Sequence, residues 1–144
     1  RTAYAEERPD GSIAYIPDGI ERSWYPSGAL HTELHFSDGK PTGDMTIWWP
    51  NGIVKIKNHS NTEGLADGDQ YVYDISGKLL KHYYIDNGTG VEYYFHDNGQ
   101  LKSERSWKDG KLDGETKQYD ENGKLIAIDI YSKGVKQNSS GAKQ

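Results

Sequence analysis

Apolar residues in this chain form short clusters beside regularly spaced glycines, and no long apolar run is present. One glycine series follows Ser or Asn at spacings of 24, 25, 22 and 24 residues: Gly28, Gly52, Gly77, Gly99 and Gly123. Two further glycine series advance by nearly the same steps. A period of this length indicates stacked structural units. The stretch WYPSGALHTE is therefore predicted to be one copy of a repeated unit and not an isolated site.

Each unit is predicted to be a β-hairpin. Its first strand ends at an NG or SG turn, where Gly tolerates positive φ, and its second strand ends at a turn such as SDGK or KDGK. Connections this short join antiparallel neighbours, and no helical periodicity of useful length is present. The predicted fold class is all-β, a single-layer antiparallel meander of about ten strands built from stacked hairpins. The repeats span residues 18–134, between a truncated N-terminal repeat or cap at 1–17 and a flexible polar tail at 135–144.

The turn geometry also predicts the register of every hairpin. If the PSG-type turn is a three-residue loop with Gly in the left-handed region, an aromatic residue faces an aliphatic one in each unit. The predicted pairs are Trp24 with Leu30, Trp48 with Val54, Tyr73 with Leu79, Phe95 with Leu101, and Tyr119 with Leu125. Such pairs contribute about 0.2 to 1 kcal/mol each. This aromatic–aliphatic row is predicted to be the core.

The same register places a second apolar set on the opposite face of the sheet. Its positions vary between units, with Asp74 and Asp120 in the places of Tyr25 and Trp49. Two interpretations stay open: sheet twist covers these residues, or they form a partner-binding surface. The candidate binding residues are Tyr25, Trp49, Ile53, Val72, Leu80, Tyr94, Ile126 and Ile128. Tyr25, Trp49 and Ile53 are expected to form one patch. Ile126 and Ile128 are expected to form a second patch near the C-terminal edge.

Composition and charge narrow the possible partners. Only 33% of residues are hydrophobic, but eleven Tyr and four Trp supply large amphipathic rings, which suit a thin sheet better than a thick aliphatic core. The net charge is −5 and the Lys and Arg residues are scattered, so binding to nucleic acid or to anionic lipid is disfavoured. No apolar run approaches the roughly 20 residues that membrane insertion requires.

The polar residues do not indicate a catalytic or metal site. His35 and His59 occupy equivalent positions in adjacent units, about 9 to 10 Å apart across the sheet, whereas zinc needs three or four ligands at about 2 Å. A hydrolytic pair of carboxylates needs a shared cleft, which a single-layer sheet is not expected to offer. The chain also contains no Cys. We therefore predict a non-enzymatic protein with no catalytic residues, no cofactor and no bound metal.

The segment YYFHDNGQLKSERSWKDGKLDGE, residues 93 to 115, resembles the MORN repeat in the bacterial variant form that is often labelled an antitoxin repeat. ERSWYPSGALHTELHFSDGKPTG, residues 21 to 43, is nearly as similar. The resemblance implies an elongated, twisted sheet of stacked hairpins whose usual role is to hold other proteins, and sometimes lipids. The segment KNHSNTEGLADG departs most from the pattern, which predicts a bulge or an altered loop there.

The leading hypothesis is a bacterial, non-enzymatic module that docks another protein through the second face or an open sheet edge. A glycan- or cell-wall-binding module is the alternative, although Tyr25 and Trp49 have no aromatic equivalents in later units. An antitoxin or immunity protein that neutralises a toxin by direct binding is a third hypothesis, which follows only from the family label. Because the chain begins at Arg1 without Met, a removed leader is expected, which favours an extracytoplasmic location slightly.

Overall fold

The computed structural model describes residues 3–141, which form thirteen β-strands joined by short turns and no helix. In chain order the strands are β1 (Ala3–Glu7), β2 (Ile13–Pro17), β3 (Gly19–Trp24), β4 (Leu30–Ser37), β5 (Lys40–Trp48), β6 (Val54–Ser60), β7 (Gly68–Tyr73), β8 (Leu79–Ile85), β9 (Gly90–Phe95), β10 (Leu101–Lys108), β11 (Lys111–Tyr119), β12 (Leu125–Ser132) and β13 (Val135–Gly141). Because every connection is short, consecutive strands run antiparallel.

The described strands form three antiparallel sheets in which neighbours in sequence are neighbours in space. β1 pairs with β2, β3 to β8 form a six-stranded sheet, and β9 to β13 form a five-stranded sheet. The prediction of an all-β antiparallel meander is confirmed, with thirteen strands instead of about ten. Val135–Gly141, which lie in the predicted flexible polar tail, pair with β12 as strand β13. Residues 142–144 of that predicted tail lie outside the described residues.

All five predicted aromatic–aliphatic pairs are present in the register of the hairpins. The turn geometry is the cause: Gly28 has a φ of +90°, and the Tyr25 N–H donates to the Ala29 carbonyl at 2.8 Å. After each turn of this series, a β-bulge adds one residue to the second strand of the hairpin. A bulge shifts the alternation of side chains between the two faces, and this shift has consequences for the candidate site.

The covered face is the opposite of the predicted one. The aromatic–aliphatic row lies on an outer face, where Trp24 is 59% exposed and Leu79 is 47% exposed. Trp49 and Val72, on the other face, are 7% and 6% exposed. We call this other face the inner face; across the six-stranded sheet it follows the paired positions Ser23, Thr32, Ile47, Ile56, Val72 and Lys81. The prediction that the row is the core is therefore wrong, because side chains of the five-stranded sheet lie against the inner side instead.

Side chains that follow the first strand of a hairpin bond several units to the next one. At this position Tyr25 Oη bonds to the Trp48 carbonyl, Trp49 Nε1 to the Tyr73 carbonyl, and His96 Nε2 to the Tyr119 carbonyl. At the equivalent position of the third unit stands Asp74, whose carboxylate accepts the N–H groups of Ser76 and Lys78. A carboxylate cannot donate a hydrogen bond, so this link to the fourth unit is missing. The continuous sheet ends at the same place, between β8 and β9.

Candidate functional site

A trough runs along the inner side, between the six-stranded and the five-stranded sheets. It consists of two hollows of about 270 and 340 Å³. The apolar side chains of the first hollow include Leu34, Met45, Leu65, Ile85 and Trp107. Those of the second hollow include Trp49, Val72, Leu80, Tyr83 and Tyr94. Met45, Asn58 and Glu92 line both hollows, so the two form one continuous surface.

Glu92 places a negative charge at the centre of the trough. Its Oε1 accepts the Tyr94 hydroxyl at 2.6 Å and the Trp107 indole N–H at 3.1 Å. Arg105 stands opposite Glu92 on β10, but its guanidinium lies 4.7 Å from the centre of the Tyr94 ring. Among the described residues, no cation comes within 4.0 Å of the Glu92 carboxylate to form an ion pair. The carboxylate is therefore held by two neutral donors.

The loop between β6 and β7 departs from the other units, as predicted. The two strands pair at only two positions, and beyond them the Gln70 side chain takes the place of the neighbouring backbone. Its Oε1 accepts the His59 N–H at 3.3 Å, and its Nε2 donates to the His59 carbonyl at 3.0 Å. Gln70 is 2% exposed and fully engaged by these bonds. Its amide therefore closes the gap that the altered loop leaves between the two strands.

The same loop positions two further side chains at the first hollow. Asn58 has a buried Oδ1 with no hydrogen-bond donor among the described residues. An unpaired buried acceptor is unfavourable by about 1 to 3 kcal/mol. Leu65 packs against Gly88 and Gly110; a Cβ added at Gly110 would lie only 2.5 Å from Leu65 Cδ2. The two glycines therefore leave the space that Leu65 fills at the end of the hollow.

Cations of the chain itself cover several rings of the second hollow. Lys55 Nζ lies 4.4 Å from the centre of the Trp49 ring and 3.4 Å from Asp97 Oδ1. Lys81 Nζ lies 4.6 Å from the centre of the Tyr93 ring. Cation–π contacts of this kind contribute about 0.5 to 1 kcal/mol at exposed sites. They leave less ring surface free for a ligand that binds by stacking.

Burial and the Glu92 charge act on the two phenols of the trough. Burial is the main cause that raises the pKa of Tyr83 to about 12, and the Glu92 charge adds to it. Burial, followed by the hydrogen bond to Glu92, raises the pKa of Tyr94 above its usual range. Both phenols therefore remain protonated at neutral pH, so Tyr94 can donate its hydroxyl proton to the carboxylate.

The structure brings together half of the residues that the sequence nominates as a binding surface. Four of the eight line the second hollow: Trp49, Val72, Leu80 and Tyr94. Tyr25 and Ile53 are half-buried at turns outside the trough, and Ile126 is 46% exposed on β12. No exposed patch of Tyr25, Trp49 and Ile53 is formed, because Trp49 is buried and its indole bonds to the next unit.

The pairing of β11 with β12 does not follow the simple alternation on which the expected second patch of Ile126 and Ile128 is based. Ile126 is the additional residue of the bulge in β12. Tyr119 pairs with Leu125 and the preceding residue, Gln118, pairs with Ala127, so Ile126 has no partner on β11. Ile128 faces Lys117, two residues before Tyr119, and so lies on the outer face. The bulge therefore separates two side chains that simple alternation places together.

The polar centre of the trough was not predicted. Asn58 and Glu92 lie in different hairpins, and no local spacing links them. One signal was present for Asn58: it lies in the segment that departs most from the repeat, where a change of pattern is informative. For Glu92 the sequence holds no such signal: its contact to Tyr94 lies within β9, but its contact to Trp107 depends on the pairing of β9 and β10.

Within residues 3–141 no group of three or more His, Asp or Glu side chains could hold a metal ion. The same residues contain no helix that is long and apolar enough to cross a membrane.

Comparison with protein families gives matches at three places. The family model described as the MORN repeat variant matches residues 17–38, 88–109 and 112–133. These ranges cover the hairpins β3–β4, β9–β10 and β11–β12. No curated protein matches the chain. Repeats of this family generally occur in protein- or membrane-interaction modules and are typically non-catalytic. The chain therefore contains three segments that match the MORN repeat variant, each corresponding to one β-hairpin.

Proposed function

We propose that the protein is a non-enzymatic interaction module that binds an extended segment of another protein in the trough. The observation that supports this most directly is the continuity of the two hollows through Met45, Asn58 and Glu92. Binding surfaces typically combine apolar walls with a few polar groups that fix orientation. An extended peptide presents side chains at regular intervals, which suits two adjoining hollows better than one closed cavity would.

The distribution of the family matches supports the same proposal. The matched ranges leave out residues 39–87, which contain β5 to β8. These strands and their loop supply Met45, Asn58 and Leu65 to the first hollow. The units that depart from the repeat pattern therefore supply much of the lining of the first hollow, as expected if their sequence serves a particular partner as well as the fold.

A glycan-binding role has weaker support. Sugar rings stack on free aromatic faces, but Lys55 lies over Trp49 and Arg105 lies over Tyr94. The antitoxin or immunity hypothesis is a special case of the protein-binding proposal, in which the partner is a toxin. A non-enzymatic role is favoured because the Glu92 carboxylate is held by two neutral donors, the Tyr94 hydroxyl and the Trp107 indole N–H.

Peptide selection tests the proposal. A library of random twelve-residue peptides, displayed on phage, is selected on the wild-type protein, and binding of the enriched peptides is measured by fluorescence anisotropy. The variant Met45→Glu places a charge between the two hollows and is expected to weaken binding at least tenfold. The control Thr46→Glu changes the next residue of β5, which pairs on the outer face with Glu33 and Lys57, and should leave binding unchanged. Equal loss in both variants, or no loss in either, would place the binding surface elsewhere.

A further inference from the structure

The first hollow combines an apolar wall with a carboxylate that lacks a cation. Both hydrogen bonds to Glu92 end on Oε1, and no described group bonds to Oε2. A carboxylate in partly buried surroundings is unfavourable unless an opposite charge compensates it. The hollow measures about 270 Å³, which is below the roughly 300 Å³ at which pockets for drug-sized ligands begin. It is therefore of a size for one long side chain.

Resting on the proposed function, we propose that the first hollow receives a lysine side chain of the bound partner segment. The ammonium group bonds to Glu92 Oε2, and the aliphatic stem lies along Leu34, Met45 and Leu65. Lysine is the residue that buries a four-carbon stem against apolar surface and ends in a compact positive charge. The rest of the partner segment continues into the second hollow, past Met45.

Arginine fits this site less well than lysine. Its planar guanidinium binds carboxylates through two parallel hydrogen bonds, one to each oxygen. Glu92 Oε1 already accepts two donors, from Tyr94 and Trp107, so only Oε2 is available. A single free oxygen suits the ammonium group, which acts as a point charge with three rotatable donors. An uncharged apolar side chain would fill the hollow but leave the carboxylate without a cation.

Asn58 offers a second contact on the same wall. Its Oδ1 has no donor in the described structure, and the residue lines both hollows. A rotation of the amide turns this oxygen toward the occupant, where a second N–H of the ammonium group can reach it. A donor that arrives at an unpaired acceptor removes an unfavourable buried group. The site thus provides two acceptors for a positively charged tip, Glu92 Oε2 and Asn58 Oδ1.

Small probes test the chemistry of the hollow without knowledge of the partner. We would titrate the full chain with n-hexylammonium chloride and, separately, with n-hexanol, and follow the indole N–H signal of Trp107 by two-dimensional NMR. This proton is bonded to Glu92 Oε1, so it reports on the carboxylate. The ammonium probe is expected to shift the signal in a saturable manner, with an affinity at least tenfold higher than that of the alcohol.

Variants connect the effect to the named residues. Glu92→Gln removes the charge but keeps the size of the side chain, and should weaken binding of n-hexylammonium at least tenfold. Asn58→Ala should weaken it severalfold. The control Glu115→Gln neutralises an exposed carboxylate on β11 whose side chain is 52% exposed, and should leave the affinity unchanged. Far-UV circular dichroism establishes that each variant keeps the β-sheet fold.

The outcomes separate this inference from the proposed function. Equal binding of the alcohol and the ammonium probe, or unchanged ammonium binding in Glu92→Gln, overturns the lysine site. If n-hexylammonium binds but a blocked Ala-Ala-Lys-Ala-Ala peptide does not, the hollow is a small-amine site and the peptide anchor is overturned. If selected peptides lose binding in Met45→Glu but not in Glu92→Gln, the trough binds peptides as proposed and only the lysine anchor fails.

Discussion

Replacing Trp49 by Ala is expected to destabilise the protein by about 4 kcal/mol. Truncation of buried Trp residues typically costs about 3 to 5 kcal/mol, and Trp49 is only 7% exposed. That range includes the loss of the indole bond to the Tyr73 carbonyl, about 0.5 to 1.5 kcal/mol, and of the contact with Lys55, about 0.5 to 1 kcal/mol. The same change at Trp24, which is 59% exposed on the outer face, should cost about 1 kcal/mol.

Urea denaturation followed by far-UV circular dichroism measures this difference. With a denaturant dependence of about 2 kcal/mol per molar, a gap of about 3 kcal/mol separates the two midpoints by about 1.5 M. Because Trp49→Ala consumes a large share of a typical stability of 5 to 15 kcal/mol, Trp49→Phe provides a milder variant. It keeps an aromatic ring but loses the N–H, and should cost about 1 to 2 kcal/mol.

Which of the two substitutions, Trp49→Ala or Trp24→Ala, lowers the free energy of unfolding more decides which face is the core. If Trp24→Ala costs as much as Trp49→Ala or more, the outer row carries the stability and the assignment of the inner face as the core is refuted. A cost below about 1 kcal/mol for Trp49→Ala, within the range of surface changes, refutes it equally.

Three further predictions concern backbone, pH and lipid. Gly88→Ala should lower the free energy of unfolding by about 3 kcal/mol, because the added Cβ would lie 2.7 Å from the Gly110 backbone nitrogen. Gly28 has a similar φ but open space around it, so Gly28→Ala should lower the free energy of unfolding by only about 1 kcal/mol. Denaturation measures both values. The pKa of Tyr83 is raised from 10.0 to about 12, so the stability that its neutral form contributes is complete below pH 10 and is lost between about pH 10 and 12. The free energy of unfolding of the wild type, relative to that of Tyr83→Phe, should therefore fall by about 1 to 2 kcal/mol between pH 9 and 12. A difference that stays constant over this range would contradict the prediction. The protein should not co-sediment with anionic vesicles at physiological salt, because its net charge is −5; sedimentation that disappears at high salt would contradict this.

The candidate site was only partly accessible to sequence reasoning. Trp49, Val72, Leu80 and Tyr94 were assigned to the second face from the alternation of side chains, and they do line the trough. Ile128 was misplaced because the bulge in β12 changes that alternation. A bulge depends on how two strands pair, and the spacing of apolar residues in one strand does not reveal it.

The sequence by itself determined the repeat, the turns and the register of each hairpin. These features are local: Gly28 adopts a positive φ that other residues rarely adopt, and the length of the loop then fixes which residues face each other. Such properties depend on a few neighbouring residues, so the sequence is sufficient to predict them.

Only the tertiary structure decided which face is covered and where the polar centre lies. Trp48 and Trp49 are identical neighbours in sequence, yet Trp49 is buried and Trp48 belongs to the outer row. Burial depends on what lies against a face, and the cover of the inner face comes from β9 and β10, more than forty residues away. Glu92 and Asn58 line the same trough for the same reason. The alternation of side chains separates two faces, but contacts between distant hairpins determine which of them excludes water.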